Sequence, residues 1–299
     1  MNLEEIRQYY AEEISAVANI QTEALVKAFA KVPREHFLGA GPWQIANPES
    51  WIAMATQNAK AAGNYRTTPD DDPRHLYHNI LIAIDAERLL NNGQPSSLAM
   101  WIDALELHGG ESVVHVGCGV GYYTAIIAEV VGESGHVTGV EIDAELAERA
   151  RRNLAYLNQV EVVEASGAEF DPGPADAIFV NAGATHPQDI WLDSLKPGGR
   201  LILPLTVARD ETTGGGGFML KVKREEKGYA ARFISPVAIY SCAGARDVEL
   251  NQKLREAMAR GTFMTVQSLR RELHEASDTC WLHGERFCLS TLRVDHSGG

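Results

Sequence analysis

Chemistry-bearing residue types gather in residues 113–141, VVHVGCGVGYYTAIIAEVVGESGHVTGVE. An apolar run (Val113, Val114, Val116) enters a glycine-rich turn, Gly117-Cys118-Gly119-Val120-Gly121. Glycine lets backbone approach a ligand that a Cβ would exclude. Glu141 follows Gly117 by 24 residues and can accept hydrogen bonds from both hydroxyls of a ribose. Spacing separates the candidate nucleosides. A dinucleotide fingerprint, G-x-G-x-x-G/A, needs a small sixth residue. Counted from Gly117 the sixth is Tyr122, and from Gly119 it is Thr124.

What remains, G-x-G-x-G followed by an acid, is the pattern of S-adenosylmethionine (SAM) methyltransferases. Strands and helices must position it. The apolar spacing predicts a strand over 113–116, a helix over 122–131, a strand over 136–140 ending on Glu141, and a helix over 144–157. Further strands are expected at 160–163, 177–180 and 200–204, with a short helix over 187–195 and a Lys-Pro-Gly-Gly turn at 196–199. A hairpin, 219–224 with 230–237, a helix over 248–259 and a strand or buried segment over 280–289 complete the chain. Apolar residues at helical spacing predict one or two helices in the first 30 residues, and a helix over 98–107 capped by Ser97 and its neighbours. Residues 39–79, rich in Gly and Pro, read as irregular, and the glycine run 214–217 reads as a flexible hinge.

Alternating β and α implies a mainly parallel sheet covered on both faces, with ligands at the carboxyl ends of the strands. Candidate site loops are therefore 117–122, 141–143, 165–168 and 181–186. The expected organisation is an N-terminal helical segment with an insertion (1–100), a SAM-binding core (101–240) and a C-terminal extension (241–299).

Composition excludes several classes. The chain has 299 residues and a net charge of −13, which disfavours nucleic acid as a partner. No run of 18 apolar residues is present, so no membrane helix is expected. An acidic amphipathic N-terminus without signal-peptide character points to the cytoplasm. Cys118, Cys242, Cys280 and Cys288 lack C-x-x-C spacing, which speaks against a disulfide framework and a zinc site, so no metal is expected. The aspartates at 70–72 read as a solvated loop. Oligomeric state is not encoded in any of these features.

Several segments carry a family likeness. Val32-Pro33-Arg34-Glu35-His36-Phe37 resembles V-P-R-E-x-F, and Gly93-Gln94-Pro95-Ser96-Ser97 resembles G-Q-T-I-S. His115-Val116-Gly117-Cys118-Gly119-Val120-Gly121-Tyr122 is similar to E-I-G-T-G-S-G-Y, and residues 195–204 to L-K-P-G-G-R-L-I-L-P. Together, over about residues 15–240, the chain resembles the protein-L-isoaspartate (D-aspartate) O-methyltransferase family. The resemblance implies an α/β, Rossmann-like seven-stranded sheet with helices on both faces, using SAM to esterify a carboxylate. By the same likeness Ser97 lies at the methyl donor and the acceptor, with Gln94 shaping its loop. Gly117, Gly119 and Gly121 would flank the methionine end, Glu141 the ribose, and Ser166-Gly167 the adenine, with Cys118, Tyr122 and Ile142 as further cofactor-binding candidates. Ser166 stands where the family has an acid. Trp43, Trp51, Arg66, Arg74, His75, Tyr77 and His78 fall in a stretch longer than the family's.

A carboxylate acceptor is already ionised at neutral pH, so the site needs alignment and exclusion of water and no general base. Asn181, at the end of strand 177–180, could contact donor or acceptor. A hydroxyl acceptor would need a base, for which His78 and His186 are candidates. Three readings follow: a methyltransferase of a peptide or protein aspartyl-type carboxylate, a small-molecule or modified-peptide O-methyltransferase, and a non-catalytic SAM-binding protein.

Overall fold

The computed structural model describes residues 2–47, 65–208 and 214–294. The chain divides into two compact units, Met1–Ala165 and Ser166–Gly299. Among the described residues, no helix is long and apolar enough to cross a membrane.

In the first unit, α1 (Leu3–Ala18) starts at a capping box: Glu5 N–H donates to Asn2 Oδ1, and Asn2 N–H donates to the Glu5 carboxylate. It buries Tyr10, Ala11 and Ile14, and α2 (Glu23–Lys31) buries Leu25, Ala28 and Phe29, while Tyr9 and Val17 of the apolar pattern are exposed. A short α3 (Glu35–Leu38) follows. Part of the irregular-looking 39–79 region is ordered. There β1 (Gln44–Ala46) pairs antiparallel with β2 (Tyr65–Thr67), and Leu38, Trp43, Ile45, Leu76 and Ile82 form a small core. Trp43 is thus a packing residue, whereas Trp51 lies outside the described residues. The aspartates of 70–72 serve local pairing: Asp72 binds Arg74, and Asp70 meets His75 at 2.7 Å.

A small pair, β3 (Ala83–Asp85) and β4 (Leu90–Asn91), precedes α4 (Pro95–Asp103). This helix starts two residues before Ser97. Pro95 takes the first position, where its missing N–H costs nothing, and Gln94 is the N-cap. Ser97 is therefore inside the first turn and is not the cap. Strands β5 (Ser112–Val116), β6 (His136–Glu141) and β7 (Val160–Glu164) then form a parallel sheet in the order β5-β6-β7. Their connections are α5 (Tyr122–Val131), apolar around most of its circumference and buried at nine of ten residues, and α6 (Ala144–Leu154). Ile126 and Ile127, both 0% exposed, each contribute about 1.5–3 kcal/mol of burial.

In the second unit β8 (Ala175–Val180) runs parallel to the long β9 (Leu195–Ala208), with α7 (Asp189–Ser194) between them. The Lys-Pro-Gly-Gly turn is present as a bulge: Leu195 pairs with Ala175 and Arg200 with Ala177, and 196–199 loop out. Next, β10 (Gly214–Arg224) and β11 (Tyr229–Tyr240) form the expected hairpin. Glycines 214–217 are not a hinge. They sit in β10 between β9 and β11, where a Cβ on Gly217 would come within 1.9 Å of the Leu205 carbonyl. At Gly215 and Gly217 another backbone passes too close for a side chain, whereas a Cβ on Gly216 would meet nothing within 4 Å. Helix α8 (Val248–Ala259) precedes β12 (Ser268–Arg270), and the 280–289 segment proves to be a hairpin, β13 (Cys280–His283) with β14 (Cys288–Ser290). Among the described residues the second unit carries seven strands, and the strand count differs slightly from the seven-stranded expectation while remaining compatible with the α/β methyltransferase fold.

Candidate active site

Three glycines with positive φ, Gly117 (74°), Gly119 (56°) and Gly121 (94°), turn the chain from the carboxyl end of β5 into α5. At Gly121 an added Cβ would meet Leu154 Cδ1 at 2.7 Å, so α6 packs directly on the turn. At Gly119 a Cβ would meet nothing within 4 Å, and the turn opens into free space there. Asn153 Nδ2 donates to the Val120 carbonyl at 2.9 Å and holds the bend from α6.

Glu141, 8% exposed, ends β6 beside this bend. Its Oε2 accepts from Gly119 N–H at 2.8 Å, and its Oε1 from Ile142 N–H (3.0 Å) and Asp143 N–H (3.1 Å). A carboxylate has about four acceptor positions, so three amides fix its orientation and leave capacity for a ribose hydroxyl. The adjoining Ile142 is 54% exposed, an apolar side chain left toward solvent.

Two turn residues present backbone only. Cys118 Sγ is buried, and burial, with the nearby Glu141 charge, pushes its thiol far above the usual range. Tyr122 is 2% exposed and is enclosed by edge-on contacts with Phe29, Phe37 and Tyr123. Both side chains are thus buried within the protein.

Asn79 organises the 93–97 loop. Gln94 Nε2 donates to its carbonyl (2.6 Å) and its Oδ1 (2.9 Å), Ser96 N–H donates to its Oδ1 (3.0 Å), and its Nδ2 donates to Ser96 Oγ (2.9 Å). From α5, Tyr123 O–H donates to the Gly93 carbonyl at 3.3 Å, so the helix after the glycine turn also holds this loop. Ser97 is half-buried on this pinned segment, and its hydroxyl has no hydrogen-bond partner among the described residues. His78 is exposed, and its backbone carbonyl is bound by Arg34.

Arg34 and Asn79 carry roles that the sequence did not assign. Arg34 is 0% exposed and donates to the carbonyls of Leu76, His78 (3.0 Å) and Ile80 (2.8 Å) and to Asn92 Oδ1 (3.2 Å). Its backbone N–H donates to Tyr77 Oη, and Tyr77 O–H donates to the Glu35 carboxylate. The Pro-Arg-Glu segment thereby fixes 76–80, the stretch that presents Asn79. The signal available was the V-P-R-E motif itself, whose partners lie more than 40 residues away.

In the second unit the loop after β7 begins at Ser166. Its hydroxyl donates to the Ala243 carbonyl (3.4 Å) and accepts from Ala168 N–H (3.3 Å), while the Gly167 carbonyl accepts from buried Trp191 Nε1 at 2.7 Å. Two local hydrogen bonds therefore orient the Ser166 hydroxyl. Asn181 follows β8 with its amide unpartnered among the described residues. His186 is held: Nδ1 lies 2.9 Å from Thr185 Oγ1, Nε2 lies 3.3 Å from Gln188 Nε2, and its ring stacks on Phe287. Burial pushes its imidazole below the ordinary value, against the pull of Asp247 and Asp189.

The expectation that no metal site exists rested on cysteine spacing; in space, His274, Cys280, His283 and Cys288 of the second unit converge to within 4.8 Å of one another.

A positive-φ glycine turn leaving one parallel strand, with an oriented carboxylate ending the next, defines a SAM-dependent methyltransferase. Residues 64–229 match the family model for protein-L-isoaspartate(D-aspartate) O-methyltransferases. The protein-L-isoaspartate O-methyltransferase of Ignicoccus hospitalis is 31% identical over 240 residues, 79% of this chain and 96% of that protein. The chain belongs to this family. A solved protein-L-isoaspartate O-methyltransferase shares its fold with a TM-score of 0.60 at 21% identity, covering 95% of this chain and 87% of the other. The fold likeness thus extends past the sequence likeness into the C-terminal residues. A Plasmodium falciparum structure, solved in complex with S-adenosyl-L-homocysteine, gives a TM-score of 0.57 at 17% identity, covering 79% and 97% of the two chains.

Proposed function

We propose that this protein transfers the methyl group of SAM to an aspartyl-type carboxylate of a peptide or protein, the isoaspartyl carboxylate foremost. The observation that carries the proposal is the 93–97 loop, pinned by Asn79 and Tyr123 and presenting the free Ser97 hydroxyl. The cofactor, when bound, supplies an electrophilic methyl on a sulfonium. Backbone of 117–121 cradles its methionine end, Glu141 accepts from its ribose, and Ile142 offers an apolar surface to its base.

Ser97 then orients the acceptor oxygen by hydrogen bonding. Such positioning is worth roughly 7–11 kcal/mol in well-aligned systems, enough to drive the displacement without a base. His186 suits that account, since both ring nitrogens already have partners. A cytoplasmic setting belongs to the same proposal, because the four cysteines are free and reducing conditions keep them so.

The test is incubation with methyl-labelled SAM and matched isoaspartyl and aspartyl peptides. A base-labile methyl ester on the isoaspartyl peptide is expected. Label on neither peptide removes this acceptor and leaves the cofactor site standing.

A further inference from the structure

His274, Cys280, His283 and Cys288 each bring one ligand atom to a single point, all within 4.8 Å of one another. Cys280 and His283 are three apart on β13, a spacing that places residues on opposite faces of a regular strand. A bulge changes this. Cys280 pairs with Ser290 and Leu282 with Leu289, so one extra residue is taken up between them, and Cys280 and His283 share a face. Cys288 lies directly opposite His283 on β14. His274 reaches the same point from the segment between β12 and β13.

The surroundings of these side chains are those of metal ligands. His274 Nδ1–H donates to the Glu272 carbonyl at 2.9 Å, which leaves the Nε2 lone pair facing Cys280 Sγ at 3.5 Å. With Zn–S near 2.3 Å and Zn–N near 2.0–2.1 Å, a tetrahedral site has ligand–ligand edges of about 3.3–3.8 Å. The observed edge falls in that range. Ser277 N–H donates to Cys280 Sγ at 3.4 Å, a contact that favours a thiolate. His283 Nδ1 is shielded from solvent and has no hydrogen-bond partner. A disulfide between Cys280 and Cys288 would explain neither imidazole.

We propose that His274, Cys280, His283 and Cys288 form a closed tetrahedral Cys2His2 site for zinc, which fastens the 271–279 segment to the β13–β14 hairpin. Four protein ligands leave no open position, so the role is structural. Binding displaces the two thiol protons to solvent and forms two Zn–S and two Zn–N bonds, with no change of oxidation state.

The full chain, freed of any affinity tag and purified with a thiol reductant, is assayed for metal by mass spectrometry and then stripped and titrated with Co²⁺. One zinc per chain is expected, and Co²⁺ should give the intense visible bands of a tetrahedral thiolate site, saturating at one equivalent and bleached by Zn²⁺. Chelation should lower the melting temperature by about 5 °C or more. Cys280→Ser and Cys288→Ser should abolish stoichiometric uptake, Cys242→Ser should retain it, and His283→Cys should bind through three sulfurs. Reduced wild-type chain that takes up neither zinc nor cobalt overturns the proposal. So does a Cys280–Cys288 disulfide formed in place of metal uptake.

Discussion

Glu141 closes the glycine turn by accepting from Gly119, Ile142 and Asp143, and the function proposed above gives its remaining acceptor capacity to a ribose hydroxyl. Hydrogen bonds to charged groups contribute about 1.5–3 kcal/mol each. Glu141→Ala should therefore weaken S-adenosylhomocysteine binding by about 10- to 150-fold in calorimetry, and unchanged affinity would assign the ribose to other groups. Ser97 answers a different question because its hydroxyl touches nothing else among the described residues. Ser97→Ala should lower kcat while leaving cofactor affinity within twofold and the melting temperature unmoved. Equal losses in turnover and affinity would make Ser97 a scaffold residue. The glycine turn and Glu141 at the end of the following strand were legible in local spacing, and the Ser97 loop in the family likeness. The side-chain directions of Cys118 and Tyr122 were not, since those depend on distant residues such as Phe29 and Phe37.

Elements with strong periodicity read correctly: α8 covers the expected 248–259, and the 113–141 unit folds as strand, turn, helix, strand. Failures came where one local signal has two physical origins. A glycine run marks a linker when solvated and a crowded strand when a neighbouring backbone passes close, and β10 is the second case. The four converging ligands escaped notice because a bulge in β13 brings together residues that regular alternation separates. Asn79 and Arg34 act between elements and leave no periodic trace. Asn79→Ala releases Gln94 and Ser96 together, and small displacements of a positioned group cost up to about 100-fold in rate. A 10- to 100-fold fall in kcat/KM is expected, roughly that range, with S-adenosylhomocysteine affinity preserved. Arg34→Met strips four acceptors, two of them buried, of their donor and should cost about 3 kcal/mol or more in urea unfolding. Loss below 1 kcal/mol, about the scale of a surface substitution, would contradict that anchoring role.

Over the whole molecule, net charge and buried titratable groups govern how folding responds to conditions. His115 is fully buried against Thr124 Oγ1 at 2.9 Å, and burial pushes its imidazole down to about 3. The unfolded chain takes up this proton near the ordinary histidine value, whereas the folded chain refuses it until about pH 3. Stability is therefore complete above about pH 6.5 and falls as the pH drops through that window. The slope for one proton approaches about 1.4 kcal/mol per pH unit. Denaturant titrations between neutral and mildly acidic pH should show this decline, and His115→Asn should flatten it; an unaltered slope would assign the proton elsewhere. The account rests finally on the bend at 117–121 and Glu141 as the seat of SAM. The direct measurement is a crystal structure of the full chain grown with S-adenosylhomocysteine. It should show the ribose hydroxyls on Glu141 and the methionine end over Gly119. A ligand-free bend in saturated crystals, or a pyrophosphate lying there, would contradict the central claim.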